Sequence, residues 1–496
     1  MNYRWTLRTI EDEAAVAELA QALNDLPEPL ARTLALRGAH SFELARSFFR
    51  DGLEAGHDPF LLKDMDRAAD RLAEAISKSE RVMVYGDYDV DGTTSAAMMT
   101  LFLREHGVEA TYFVPNRFEH GYGLCTAGLD EAVERGASLV VALDCGITAT
   151  EEADYAKVLG LDLVIADHHE PGPALPDALA VLDPKRADCP YPFTGLSGCG
   201  VGFKLVEATL RRLGRPPEEA HPYLDLLAVS IAADLVPVLG ENRVLMRAGL
   251  ERLRSEPRLG LRALAEVAGK DLGASTTSDI VFGLGPRINA AGRMGSADRA
   301  VELLLTDDPA TARRLAEELE AVNRERRELD RLTLAEAIEE ADKLVAAADP
   351  FALVLHRPHW HSGVIGIVAS RIVERYYRPT ILLTGDGDVV RGSARSIDGV
   401  SIHAALGQCE SHLIGFGGHD AAAGVSLPRQ NLVAFREALS AAIGEHVEPE
   451  QLEPELTLDA ELDLQHVLGD RVGAERGLVH DTQLAEAEPD HGVDAA

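Results

Sequence analysis

Short apolar runs alternate with helix-like stretches through the first half of the chain. The runs rich in β-branched residues cover residues 82–85, 138–143 and 161–166. The stretches of helical composition cover residues 93–105, 129–135 and 150–159. Alternating strands and helices are typical of a parallel sheet with right-handed crossovers. We therefore predict an α/β domain on a parallel sheet over residues 71–308.

Acidic residues and a histidine pair follow these apolar runs. The first run leads into Gly86-Asp87-Tyr88-Asp89-Val90-Asp91-Gly92, the second into Asp144-Cys145-Gly146, and the third into Asp167-His168-His169. A further acid, Asp234, lies within the apolar stretch 226–238. Because ligands gather at the carboxyl ends of parallel strands, we expect these clusters to meet at one edge of the sheet.

Each cluster also has an ordinary structural interpretation. An Asp-x-Asp before Gly is commonly a turn or a helix cap, a His-His pair is more often structural than ligating, and Asp234 can be a capped or salt-bridged core acid. The joint pattern favours a metal centre, since independent caps have no reason to recur at successive strand ends. Hard oxygen donors with an imidazole suit Mn²⁺ or Mg²⁺, and such clusters usually hydrolyse phosphates.

The second half of the chain has a different organisation. Pro309–Ala348 is rich in Glu, Arg, Ala and Leu at helical spacing, which predicts one long connecting helix or two in series, with a solvated charged face. Residues 349–445 then predict a smaller α/β domain, with strand-like 351–355 and 380–383 and helix-like 367–377. Residues 1–70 are predicted to form a helical segment. Residues 446–496 are predicted to begin a further domain and to end in a disordered acidic tail, 471–496.

The smaller predicted domain carries three motifs of its own. His359-Trp360-His361-Ser362-Gly363 precedes a helix-like stretch, residues 391–396 contain two arginines and a glycine, and Gly417-Gly418-His419 precedes a run of small residues. Gly-rich turns before helices offer N–H groups to anions, and Arg offers paired donors to phosphate. Tight turns explain the glycines equally well, so the motifs gain weight only beside a phosphoesterase centre.

Composition places limits on the class of protein. A chain of 496 residues is long enough for two or three domains. Its five cysteines are odd in number and lack Cys-x-x-Cys spacing, which argues against a disulfide framework and a zinc site and favours a reducing compartment. The N-terminus has no apolar signal core and no run reaches membrane-spanning length, so we expect a cytoplasmic protein without membrane contact.

The net charge of −34, from 48 basic and 82 acidic residues, opposes binding to a polyanion over long range. A local basic groove is still compatible with this excess. Because the acid is spread along the chain and arginine outnumbers lysine, we interpret the surface as one suited to high salt.

Several longer motifs resemble those of the DHH phosphoesterases, whose family name is spelled by Asp167-His168-His169, and in particular their single-strand-specific 5′ exonucleases. The resemblance extends from about residue 42 to about residue 464. The motifs are Gly86–Gly92, Pro115-Asn116-Arg117-Phe118-Glu119-His120-Gly121-Tyr122-Gly123-Leu124, Asp183-Pro184-Lys185-Arg186, Gly195-Leu196-Ser197-Gly198, Gly240-Glu241-Asn242-Arg243, Gly285-Pro286-Arg287-Ile288-Asn289-Ala290-Ala291-Gly292-Arg293, and Gly417-Gly418-His419.

The resemblance implies a catalytic centre with two divalent cations, Mn²⁺ in preference or Mg²⁺. The residues implied to hold one cation are Asp89, Asp144, His168 and Asp234, and those implied to hold the other are Asp87 and the shared Asp144. His169 would face the scissile phosphate and act with Asp144 in catalysis. Tyr85 stands where some relatives have histidine, which implies a looser second metal, and Asp91 is expected in a turn or behind the ligands.

The resemblance also implies a substrate and partners. Arg117, Ser393 and Arg395 resemble a pocket for a 5′-terminal phosphate. The residues that resemble the lining of the strand's path are Tyr122, Arg287, Asn289, Arg293, Gly417, Gly418 and His419. The implied activity is 5′→3′ hydrolysis of single-stranded DNA to 5′-mononucleotides in recombination and repair. A monomer that works with a helicase and a single-strand-binding protein is also implied.

Two other functions stay open on the sequence. Exonucleases of this kind usually continue into an OB-fold that holds single-stranded DNA, and the chain is expected to lack it, which puts processivity in doubt. A DHH phosphoesterase for small substrates, such as short oligonucleotides, cyclic dinucleotides or bisphosphorylated nucleotides, would suit the acidic surface. A non-catalytic replication scaffold is the weakest alternative, because every ligand position except Tyr85 is filled.

Overall fold

The computed structural model describes residues 3–462, and the predicted disordered tail, 471–496, lies outside them. The chain divides into two compact units. One comprises Ala45–Asn323, and the other combines the chain up to Leu44 with the chain from Arg324 onward. We refer to them as the first unit and the second unit.

The strands of the described residues form three sheets. In chain order they are β1 Arg4–Leu7, β2 Arg81–Gly86, β3 Glu109–Phe113, β4 Leu139–Leu143, β5 Asp162–Ala166, β6 Ala180–Leu182, β7 Leu353–His356, β8 Thr380–Thr384, β9 Val389–Arg395, β10 Gly415–Gly418, β11 Ala422–Pro428 and β12 Glu455–Leu458.

Helices occupy most of the remaining described chain. They are α1 Glu13–Ala22, α2 Glu28–Leu36, α3 Phe42–Arg50, α4 Met65–Lys78, α5 Val90–Glu105, α6 Thr126–Glu134, α7 Thr150–Val158, α8 Gly198–Arg212, α9 Leu224–Ala233, α10 Gly240–Ser255, α11 Leu259–Val267, α12 Thr277–Asp279, α13 Gly285–Met294, α14 Asp298–Leu305, α15 Pro309–Ala348, α16 Ile365–Tyr376, α17 Ile402–Gln408 and α18 Leu432–Gly444.

The sheet of the first unit is parallel throughout, in the order β3-β2-β4-β5-β6. Successive side chains of its strands enter opposite cores: Val82 and Val84 of β2 pack with α4, α5 and α8, whereas Met83 and Tyr85 pack with α6 and α7. A strand that is covered on both faces needs apolar residues at every position, which explains why these strands are continuous apolar runs. The predicted α/β class with a parallel sheet is confirmed.

The second unit contains a mixed sheet in the order β10-β11-β9-β8-β7, in which only β7 and β8 run parallel. Residues 391–396, for which the sequence analysis predicted no strand, lie mainly in β9. Val390 and Ala394 alternate into the core, while Arg391, Ser393 and Arg395 share the opposite face.

A strand near the start of the chain pairs with a late strand, a feature that the sequence analysis missed. Strand β1, within the segment predicted to be helical, pairs in parallel with β12, so that Trp5 lies opposite Leu456. The start of the predicted further domain is therefore held by the N-terminal strand.

None of the described helices combines the length and apolar character needed to cross a lipid bilayer.

Candidate metal centre

The first acidic loop connects β2 to α5. Asp89 is the N-cap of α5, and its carboxylate accepts a hydrogen bond from the Gly92 N–H at 3.0 Å. The loop is so tight that a Cβ on Gly92 would lie 2.3 Å from the backbone N and O of Asp87. Asp87 is consequently held in a buried position, with its side chain at the carboxyl end of the sheet.

Asp144 follows β4 in an unusual backbone conformation. Its φ of +60° is in the left-handed region, which non-glycine residues rarely adopt and which recurs at functional sites. The Asp144 N–H donates to the carbonyl of Ala166 at 3.0 Å, which anchors the turn to β5. Gly198, the first residue of α8, approaches so closely that a Cβ there would lie 2.5 Å from Asp144 Oδ1.

His168 follows β5 and is held by one ring nitrogen. Its Nδ1 is 3.0 Å from the carbonyl oxygen of Leu196, which can only accept, so Nδ1 carries the proton. Nε2 therefore presents a lone pair, the form in which histidine binds a metal. Burial also lowers the pKa of His168, which favours the neutral ring.

Carboxylate oxygens from two other segments lie close to His168 Nε2. Asp144 Oδ1 lies 3.1 Å from it and Asp234 Oδ2 lies 3.7 Å from it. Asp234 is the C-cap residue of α9, and its N–H donates to the Ser230 carbonyl at 2.9 Å. The structure thus brings Asp144, at the end of β4, and Asp234, at the end of α9, together with His168, which follows β5.

Mutual repulsion among buried carboxylates characterises this site. The pKa of Asp234 is raised to about 9 by burial and by the neighbouring carboxylates of Asp91 and Asp89. The pKa of Asp144 lies well above its usual range because of burial and four neighbouring carboxylates, those of Asp91, Asp89, Asp234 and Asp87. Burial and Asp89 likewise raise the pKa of Asp87. Since a cation would relieve this repulsion, the electrostatics are those of a cation site.

The unsatisfied atoms fit a divalent cation. Asp87 Oδ1, Asp144 Oδ1 and His168 Nε2 are buried and have no hydrogen-bond partner among the described residues. Asp144 Oδ1 and His168 Nε2 are close, but both are acceptors when the His168 proton is on Nδ1, so no hydrogen bond joins them. An octahedral ion with ligands at about 2.1 Å holds adjacent ligand atoms about 3.0 Å apart. The observed 3.1 Å is what two ligands of one ion would show.

Asp91 also comes close, with Oδ2 3.7 Å from His168 Nε2. Its carboxylate accepts from the N–H groups of Gly198 at 2.7 Å and Cys199 at 2.8 Å, and from the Ser230 hydroxyl at 2.7 Å. The groups of ligand-type residues that lie together include both Asp91 with His168 and Asp234, and Asp144 with His168 and His169.

His169 is oriented by hydrogen bonds on both ring nitrogens. Nδ1 is 2.7 Å from Asp167 Oδ1, and Nε2 is 3.0 Å from the Tyr122 hydroxyl. Burial lowers the pKa of His169, but the hydrogen bond and charge of Asp167 outweigh it and raise the pKa to about 9. Asp167, absent from the predicted site, also accepts from Ile147 N–H and His168 N–H, so it organises the turn that carries both histidines.

The residues predicted to contact substrate in the first unit differ in their exposure and in the contacts that they make. The Arg117 guanidinium lies 5.1 Å from the ring centre of Tyr88, beside the acidic loop, and Tyr122 is 60% exposed. Asn289 accepts from Val90 N–H at 3.2 Å, and Arg287 forms an ion pair with Glu320 at 2.6 Å. These two contacts hold protein segments together. Arg293 is half-buried in the last turn of α13, the helix whose Gly292 abuts the Tyr88 backbone.

In the second unit, Ser393 and Arg395 form a pair on β9. Arg395 Nη1 donates to Ser393 Oγ at 3.0 Å, and a Cβ on Gly366, in the first turn of α16, would lie 3.1 Å from both side chains. The pair therefore faces the N-terminus of a 12-residue helix, where an anion is favoured. Gly418, with φ of +140°, belongs to the β10–β11 hairpin beside the exposed His419, and Gly417 lies opposite Gly424.

Tyr85 is not placed to bind a metal. Its hydroxyl donates to the Gly123 carbonyl at 2.9 Å, and its ring packs in the apolar core beneath the sheet. Sequence reasoning gave no role to Asp167, which orients His169, or to Ser197 and Ser230, which lie behind the ligands. Asp167 and Ser197 stand in quoted motifs, and a serine before a helix is a common N-cap, whereas Ser230 had no detectable signal.

Comparison with known proteins gives matches to both units. The family models for the DHH family N-terminal domain and the DHHA1 domain match residues 81–231 and 349–445. The chain is 42% identical over 439 residues to the single-stranded-DNA-specific exonuclease RecJ of Bacillus subtilis, covering 88% of this chain and 55% of that protein. It is 39% identical over 467 residues to the Escherichia coli protein of the same name, covering 90% and 80%.

Solved structures give the same result. The crystal structure of RecJ with Mn²⁺ from Thermus thermophilus matches with a TM-score of 0.81 and 33% identity, covering 96% of this chain and 67% of that one. A crystal structure of exonuclease RecJ bound to manganese matches with a TM-score of 0.69 and 37% identity, covering 79% and 97%.

Proposed function

The chain belongs to the RecJ family of DHH proteins, and we propose that it is a single-stranded-DNA-specific 5′→3′ exonuclease that releases 5′-mononucleotides. The observation that carries this proposal is the pair of unpartnered ligand atoms, Asp144 Oδ1 and His168 Nε2, 3.1 Å apart among buried carboxylates. The relatives are named single-stranded-DNA-specific exonucleases, and two RecJ structures were solved with manganese.

The proposed ligands are Asp89, Asp144, His168 and Asp234 for one cation, and Asp87 with Asp144 for a second. Mn²⁺ or Mg²⁺ held there would acidify a bound water and neutralise charge on the phosphate. The left-handed turn at Asp144 and the Leu196 carbonyl behind His168 fix the direction of two of these ligands. Little reorganisation is then needed when cations and substrate bind.

His169 is proposed to act on the scissile phosphate. With a pKa raised to about 9 by Asp167, its ring is protonated near neutral pH and can stabilise or protonate the leaving oxygen. Asp167 orients the ring through Nδ1, and Tyr122 contacts Nε2, the nitrogen that would face the substrate. Tyr122 is exposed enough to contact a nucleotide as well.

The remaining substrate contacts are also proposals. Ser393 and Arg395 are proposed to bind a 5′-terminal phosphate at the start of α16. Gly417 and Gly418 lie two strands away in the same sheet, and His419 follows them in the hairpin turn. Arg117 is likewise proposed to bind the 5′-terminal phosphate, and Arg293 is proposed to contact the strand. For Arg287 and Asn289 the observed contacts favour a supporting role, with Asn289 holding the start of α5.

The chain spans 55% of the B. subtilis relative and 80% of the E. coli relative, so the activity of a whole RecJ protein is a proposal for it. We extend the proposal to recombination and repair in the cytoplasm, as a monomer with helicase and single-strand-binding partners. The free thiols of all five cysteines are compatible with a reducing compartment.

One assay tests the activity. Single strands labelled at the 5′ or the 3′ end would be incubated with Mn²⁺, Mg²⁺ or a chelator, beside an Asp144→Asn variant of the same size. We expect labelled mononucleotides from the 5′ end, with the chelator and the variant inactive. Cleavage of dinucleotides alone would instead favour a small-substrate phosphoesterase, which the charge of −34 would suit. Release from the 3′ label first would contradict the polarity.

A further inference from the structure

A chain of buried polar groups lies behind the metal ligands. Ser230 Oγ is 2.7 Å from Asp91 Oδ1 and 2.7 Å from Ser197 Oγ, and Ser197 Oγ accepts from Gly200 N–H at 3.1 Å. Ser197 and Ser230 have no exposed surface, and Asp91 is 1% exposed. We refer to Asp91, Ser197 and Ser230 as the support chain.

The direction of each hydrogen bond in the support chain is fixed by chemistry. An ionised carboxylate only accepts, so Ser230 uses its one proton on Asp91 and must accept from Ser197. Ser197 in turn accepts from the backbone N–H of Gly200. All protons therefore point toward Asp91, which also receives the N–H groups of Gly198 and Cys199 at the start of α8. A buried carboxylate that accepts three hydrogen bonds is held in one position.

Each member of the support chain is tied to a proposed ligand. Ser197 follows Leu196, whose carbonyl holds His168 Nδ1, and the Ser230 carbonyl holds the N–H of Asp234. Gly198, which donates to Asp91, is the residue that abuts Asp144. The Ser230 hydroxyl thus connects the segments that position three proposed ligand side chains. These are the side chains of Asp144, His168 and Asp234.

We propose that Ser230 is a positioning residue for the metal centre, acting through Asp91. Asp91 Oδ2 accepts one hydrogen bond, from the Gly198 N–H, and lies 3.7 Å from His168 Nε2, so Ser230 orients a carboxylate that is itself at the metal centre. Groups that orient metal ligands from behind commonly change metal affinity by about 10- to 100-fold when removed. The inference rests on the metal-binding part of the proposed function and on no property of the nucleic acid.

The test is Mn²⁺ affinity, measured from the electron paramagnetic resonance signal of free Mn²⁺ with purified full chain and no substrate. Ser230→Ala removes the hydroxyl without adding volume. Thr209→Val is the matched control, because Thr209 is equally buried and its hydroxyl donates to the Leu205 carbonyl of its own helix, α8. We expect Ser230→Ala to weaken Mn²⁺ binding about 10- to 100-fold and Thr209→Val to leave it within about twofold of wild type.

Melting of the metal-free chain, followed by circular dichroism, separates positioning from folding. Equal Mn²⁺ affinity in wild type and Ser230→Ala would overturn the inference alone. A loss of Mn²⁺ affinity that the unfolded fraction of the variant fully explains would also overturn the inference. An equal loss of affinity in Thr209→Val would do the same. A wild-type chain that binds no Mn²⁺ would overturn the proposed function, and the inference with it.

Discussion

The buried carboxyl of Asp234 couples cation binding to pH. Its folded-state pKa is raised to about 9 by burial, Asp91 and Asp89, whereas an unfolded Asp has a pKa of about 3.9. As the pH rises from about 4 to about 9, the folded metal-free chain keeps a proton that the unfolded chain has lost, and the cost of burying this carboxyl lowers stability across that window. A cation must displace that proton, so binding releases it to solution.

We expect the apparent Mn²⁺ affinity to rise between about pH 6 and about pH 8, by up to about tenfold per pH unit for each proton released. Titration calorimetry in buffers of different ionisation enthalpy would count the protons. In Asp234→Asn, which has no proton to lose, the pH dependence should be smaller and the affinity lower. An affinity that is flat or falls with pH in the wild type would contradict this coupling.

Arg395 offers a second prediction at the scale of one side chain. Arg395→Ala should lower kcat/KM on strands with a 5′-phosphate by about 10- to 100-fold, the loss of one or two charge-assisted hydrogen bonds, and should affect 5′-hydroxyl strands much less. Arg391→Ala is the matched control, since Arg391 is exposed on the same face of β9. An equal loss of kcat/KM on 5′-phosphate and 5′-hydroxyl strands would contradict the proposed phosphate site.

Single residues also show how far sequence reasoning reaches. Asp144 and His168 could be placed together because each follows a strand of one parallel sheet, and that geometry is general. The supporting contacts could not be predicted, since Ser230 reaches Asp91 across 139 positions of sequence. The same holds for Asn289, to which the resemblance assigned a substrate contact and whose side chain instead accepts from the first N–H of α5.

At the scale of elements, the N-terminus of α8 is fitted against the turn after β4. In Gly198→Ala the new Cβ would meet Asp144 Oδ1 at 2.5 Å and the Asp144 Cβ at 2.6 Å. Gly200→Ala is two residues further along the same helix, where the nearest atom is at an ordinary 3.4 Å. The two variants therefore test the same substitution in the same helix with and without a steric conflict.

We expect Gly198→Ala to lose Mn²⁺ binding by more than about tenfold and to destabilise the chain by about 1–3 kcal/mol, the usual range for overpacking. Gly200→Ala should keep binding and change stability by less than about 1 kcal/mol, because alanine is favoured over glycine in helices. Chemical denaturation and Mn²⁺ titration of both variants would measure this. Similar behaviour of the pair would show that the contact at Asp144 is unimportant.

The elements that sequence could predict are those with continuous local patterns. Strands β2, β4 and β5 are apolar on both faces, and α15 has forty residues of helical spacing. The three-residue β6 is too short for a pattern, and β1 is a strand because β12 pairs with it, 451 residues away. β9 was not predicted as a strand because its glycine and arginines belong to a half-exposed strand, where polar and small residues interrupt the apolar pattern.

At the scale of the whole molecule, the charge of −34 affects folding as well as binding. Like charges on a compact chain repel one another, which destabilises the folded state when screening is weak. The same charge opposes the approach of a nucleic-acid strand, so contacts by the proposed arginines must act at short range. Salt shortens the Debye length from about 10 Å at 0.1 M to about 3 Å at 1 M, and so weakens both repulsions.

We therefore expect the melting temperature of the chain to rise as KCl increases from about 0.05 M to about 1 M. Below about 0.5 M, KCl and NaCl at equal ionic strength should have the same effect, because screening depends on ionic strength and not on ion identity. Binding of single strands should weaken with salt less steeply than counterion release alone predicts, since the repulsion is screened as well. Differential scanning calorimetry and fluorescence anisotropy would give the two dependences. A chain that is most stable at the lowest salt would show that its acidic residues are balanced locally, and the interpretation of a surface suited to high salt would then be wrong.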